Sequence, residues 1–68
     1  MRRNDLIQLI TVNVADGDDQ HAAKLFSQHL GKISWPVYLK SVRRGMAIRA
    51  KIEAGMTPYD AFRTTTTD

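Results

Sequence analysis

Cysteine is absent from the 68 residues, which excludes a disulfide scaffold, a thiolate zinc site and a cysteine nucleophile. Long apolar runs are absent as well, and nothing approaches the roughly 20 residues a membrane-spanning helix needs. The opening Met1-Arg2-Arg3-Asn4-Asp5 lacks the apolar stretch of a secretory leader. A cytoplasmic protein without membrane contact is therefore expected. Glycine-rich phosphate loops, paired catalytic carboxylates and a nucleophile beside a base are also missing. The sequence thus predicts a protein that is not an enzyme and carries no cofactor. Histidine occurs twice, as His21 and His29, two helical turns apart and too distant to share one metal ion without further ligands. Asp16-Gly17-Asp18-Asp19 lacks the twelve-residue loop and terminal glutamate of a calcium site, so capping explains it better and no metal is expected.

What the chain does have is one modest core and an uneven charge. At 7.7 kDa with 43% hydrophobic residues, it forms a single small domain, and a chain this short hides only roughly 60% of its unfolded surface. Marginal stability makes a partner or a homodimer a live expectation. The net charge of +3 conceals a basic centre. Between residues 20 and 59, Lys24, Lys32, Lys40, Arg43, Arg44, Arg49 and Lys51 face a single carboxylate, Glu53. A basic centre attracts phosphates or acidic protein faces.

The periodicity predicts an all-α fold: a small bundle of three to four helices over residues 1–63, followed by a disordered tail over 64–68. A first helix runs from an Asn4 cap to about Val12, carried by Leu6, Leu9 and Ile10. Residues 10–14 are β-branched and alternating, which leaves helix and strand both open there. Gly17 ends this helix and Asp18 caps a second, from about Asp19 to Leu30, with Gly31 as its stop. Ser34 and Pro36 start a long third helix that ends at Ala54-Gly55. Gly45 in its middle marks either a kink or a close helix crossing. Thr57-Pro58-Tyr59-Asp60 opens a short fourth helix, with Asp60 in the acidic position of a capping box. That helix presses Tyr59 or Phe62 on the core.

The third helix carries the most informative pattern. On a wheel of 100° per residue with Lys40 at zero, Lys51 falls near about 20°, Arg44 near about 40° and Arg43 near about 300°. Tyr38, Leu39, Val42, Gly45, Met46, Ile48, Ala50 and Ile52 fill the other arc. Lys40, Arg43, Arg44 and Lys51 therefore form a row, spaced about 6–16 Å along the axis, which matches successive phosphates of a strand. The plain alternative is a solvated helix face. Arg2 and Arg3 add a candidate flexible arm. Arg49 and Glu53 fall within the apolar arc at i and i+4, where they either pair, lie solvated at the helix end or meet another chain. Trp35 either staples the third helix to the second or stands exposed as an aromatic anchor.

Ala22-Ala23-Lys24-Leu25-Phe26, a turn, and Ser34-Trp35-Pro36-Val37-Tyr38-Leu39-Lys40 together resemble a helix-turn-helix, from Ala22 to Arg44. The resemblance implies that Trp35, Tyr38 and Lys40 face bases while Arg43 and Arg44 hold the backbone. The chain departs from that pattern in its link, which is longer than the usual three-to-four-residue turn, and in Trp35 and Pro36 crowding the helix tip. Small size, basic helices and lack of cysteine fit the regulators that bacteriophages and plasmids encode.

Two functions follow. One is a non-enzymatic regulator that binds nucleic acid, DNA before RNA, through Lys40, Arg43, Arg44, Lys51, Arg2 and Arg3. The other is a protein-interaction module, an adaptor or inhibitor docking on an acidic face of a larger complex. It would use Trp35, Tyr38, Arg49 and Glu53, with Met46 and Met56 as further anchors.

Overall fold

The computed structural model describes residues 1–65 and contains four helices: α1 (Arg3–Ala15), α2 (Asp19–Gln28), α3 (Trp35–Glu53) and α4 (Pro58–Thr65). Helix α1 is the central element, packed on both α2 and α3, while α4 packs on α3. The fold is all-α, and no strand is formed among the described residues.

The open question at residues 10–14 resolves as helix. Leu6, Ile10 and Val14 repeat at i, i+4 and i+8 and are completely buried. Each such burial contributes about 1.5–3 kcal/mol, whereas a β-branched residue costs a helix only a few tenths, up to about 0.7 kcal/mol. Burial wins, and α1 continues to Ala15 instead of stopping near Val12. Thr11, also buried, satisfies its hydroxyl by donating to the Ile7 carbonyl at 2.9 Å.

The start of α1 also differs from expectation. Leu6 N–H donates to the Arg2 carbonyl at 3.0 Å, so Arg2 is the cap and Asn4 lies inside the first turn. No side chain caps this end. Arg3 is consequently the first helical residue and Arg2 its cap, which replaces the expected loose arm. Lys32 Nζ donates to the Met1 carbonyl at 2.7 Å and ties the chain start to the α2–α3 link.

The α1–α2 corner follows its sequence signals. Gly17 adopts φ +87°, a left-handed conformation that glycine reaches without strain. Asp18 then caps α2, its carboxylate accepting from His21 N–H at 3.1 Å. Helix α2 ends at Gln28, two residues before the expected Leu30. His29 N–H is shared between the Leu25 and Phe26 carbonyls, and the chain leaves the helix so that Ile33 enters the core. Ile33 is buried while Leu30 is 70% exposed.

Gly45 marks a close crossing. A Cβ there would stand 2.6 Å from Val14 Cβ and 2.7 Å from the Thr11 carbonyl oxygen, so α1 lies against α3 at that point. In α4, Thr57 caps by accepting from Asp60 N–H at 3.2 Å. Ala61 is the fully buried residue and Phe62 packs beside it, while Tyr59 is exposed. The expected tail begins too early: Thr64 and Thr65 belong to α4, and the rest of it, 66–68, lies outside the described residues.

Candidate functional site

The row of four cations on α3 divides in three dimensions. Lys51 leaves it: its ammonium donates to the hydroxyls of Thr64 at 3.0 Å and Thr65 at 2.7 Å. These groups sit at the C-terminal end of α4, where the helix dipole favours a cation. Lys51 therefore joins α3 to α4, a role that the wheel of α3 alone does not reveal.

Lys40 and Arg44 gain a different neighbour. With Val37 and Ser41 of α3 and with Arg3 and Ile7 of α1, they line a half-open groove of about 250 Å³. Its three cations come from two helices, and among the described residues no carboxylate lines it. Ile7 and Val37 add an apolar portion to its lining, and the Ser41 hydroxyl is satisfied by donating to the Val37 carbonyl at 3.0 Å. Arg43 lies exposed one residue ahead of Arg44.

Arg44 carries a further observation. Its Nε is buried and has no hydrogen-bond partner among the described residues. A buried donor on a charged group without an acceptor costs about 1–3 kcal/mol or more.

The other expected residues fall elsewhere. Arg49 pairs across the molecule with Asp19, at 3.5 Å, instead of with Glu53 on its own helix. Arg49 and Glu53 both line an open cleft of about 600 Å³ with Asp16, Ile52 and Phe62. Trp35 and Tyr38 form an aromatic cluster with Phe26 of α2. The Tyr38 ring stacks on Phe26 at 4.5 Å, and Trp35 tilts onto Phe26 at 5.7 Å and onto Tyr38 at 5.3 Å. Tyr38 is half-buried in this cluster, so its ring supports the α2–α3 junction and does not meet the base-facing role that the helix-turn-helix resemblance implies. Trp35 packs α3 against α2 through Phe26 and is 56% exposed. Among the described residues no cluster of histidine and carboxylate side chains could hold a metal ion, and no helix is long and apolar enough to cross a membrane.

Pairing Arg3 with Lys40 and Arg44 was not readable from spacing, because it depends on how α1 lies along α3. The only sequence signal was the tandem of arginines at the start of α1. No protein-family model matches the chain, and no curated protein and no solved structure matches it. The functional reading accordingly stands on the geometry of the groove and the charge around it.

Proposed function

We propose that the protein is a small non-enzymatic regulator that binds nucleic acid, duplex DNA first, through phosphate contacts from Arg3, Lys40, Arg43 and Arg44. What supports this reading most is the convergence of three cations from two helices on one groove that no carboxylate of the described residues lines. Positive charge gathered on one face neutralises phosphates and releases their counterions. The contacts are to backbone, so the reading predicts affinity with little sequence preference.

The test is fluorescence anisotropy of a labelled duplex at low salt. Arg43→Ala/Arg44→Ala removes two site cations, and Lys24→Ala/Arg63→Ala removes the same charge elsewhere. The expected result is binding that the first pair weakens strongly and the second largely retains. Equal losses from both pairs would reduce the effect to net charge and end the proposal.

A second reading is favoured by one observation. Trp35, Leu39 and Met46 share one side of α3 at i, i+4 and i+11, with Trp35 56% and Met46 49% exposed. This suits a protein partner that covers an apolar helix stripe. In that case Trp35→Ala and Met46→Ala would weaken the complex, and Arg43→Ala/Arg44→Ala would only slow its formation.

A further inference from the structure

We infer that the groove between the first turns of α1 and the N-terminal half of α3 is a seat for one phosphate group, held by Arg3, Lys40 and Arg44. The inference rests on the nucleic-acid reading only for the source of that phosphate: a backbone diester or a free ion. The seat itself rests on the groove and on Arg44.

Three properties fit a phosphate. The volume of about 250 Å³ admits a small anion and part of a sugar, and excludes a folded partner. The donors are guanidinium and ammonium groups, which give charge-assisted hydrogen bonds to phosphate oxygens. The Arg44 Nε makes no hydrogen bond among the described residues, so a turn of the guanidinium towards the groove breaks none and lets a phosphate oxygen accept from it. The uncapped start of α1, whose dipole favours negative charge, lies at Arg3 beside the same groove. Ile7 and Val37 then suit the apolar face of a deoxyribose, which a bare inorganic ion leaves uncovered. A backbone phosphodiester thus fills more of the groove than free phosphate does.

The experiment is NMR titration of the intact protein, following the Arg44 Nε–Hε signal and the Arg3 amide. One arm adds inorganic phosphate at ionic strength held constant with chloride. The other adds a self-complementary DNA decamer duplex without terminal phosphates. The expected result is saturable movement of both signals in both arms, at far lower concentration with the oligonucleotide. Removing Arg3 and Lys40 together (Arg3→Gln/Lys40→Gln) should weaken phosphate by about tenfold for each lost charge-assisted bond. Both residues are exposed, so an unchanged backbone spectrum will show that the variant is folded.

Each outcome discriminates. If neither probe moves the Arg44 signal while the oligonucleotide moves Arg43, the seat is wrong and the nucleic-acid reading stands. If phosphate moves Arg44 and the oligonucleotide does not, the seat stands with free phosphate as its ligand and the nucleic-acid reading falls. Drift without saturation in both arms overturns the seat as well.

Discussion

Gly45 shows what one carbon atom decides in this protein. In an isolated helix, Gly45→Ala would gain about 1 kcal/mol from helix propensity. Here the added Cβ would meet Val14 Cβ at 2.6 Å and the Thr11 carbonyl oxygen at 2.7 Å. Neither the β-branched side chain nor the backbone of a packed helix can move aside cheaply. Overpacking of this kind costs about 1–3 kcal/mol, so Gly45→Ala should lower stability on balance. Urea denaturation will show a lower midpoint, whereas a raised midpoint would mean that the crossing is looser than described. The sequence narrowed Gly45 to a kink or a crossing, and the choice between them needed the position of Val14 on a helix distant in the chain. Arg49 carries the same lesson. Its sequence neighbour at i+4, Glu53, was the local candidate, but the partner is Asp19, brought near by the fold.

The helices were legible in their number and most of their punctuation. Asp18 and Thr57 work through hydrogen bonds to nearby backbone, Pro36 through its fixed φ and missing N–H, and Gly17 and Gly55 through left-handed turns, so these local signals act as the sequence implies. Asp18→Ala should cost about 1 kcal/mol, as loss of an N-cap does, and the thermal midpoint should fall accordingly. The helix ends set by tertiary packing were less legible. Helix α1 runs beyond Val12 because burial of Val14 outweighs its weak propensity, and α2 stops early to release Ile33 into the core. The third helix was legible as basic and amphipathic, yet its own wheel could not assign Lys51. Because Lys51 bonds Thr64 and Thr65, Lys51→Ala should loosen α4. Hydrogen exchange of the α4 amides will then quicken, while affinity for DNA should hardly change. An equal loss of DNA affinity on replacing Lys51 or Arg44 would restore Lys51 to the site and contradict this division.

For the whole molecule, the charge asymmetry and the all-α architecture were readable from composition and spacing, and the groove was not. A groove needs two surfaces, and the sequence displays each helix separately. Once α1 lies along α3, Arg3 faces the same opening as Lys40 and Arg44, and a row on one helix becomes a cationic site shared by two. The most direct test of that site is the salt dependence of DNA binding, measured as the slope of log affinity against log salt. Each phosphate neutralised contributes about 0.9 to the slope of a duplex, so Arg43→Ala/Arg44→Ala should reduce its magnitude by about two and Lys51→Ala should leave it unchanged. An affinity that is flat in salt, or a slope that the arginine pair does not alter, would contradict the account.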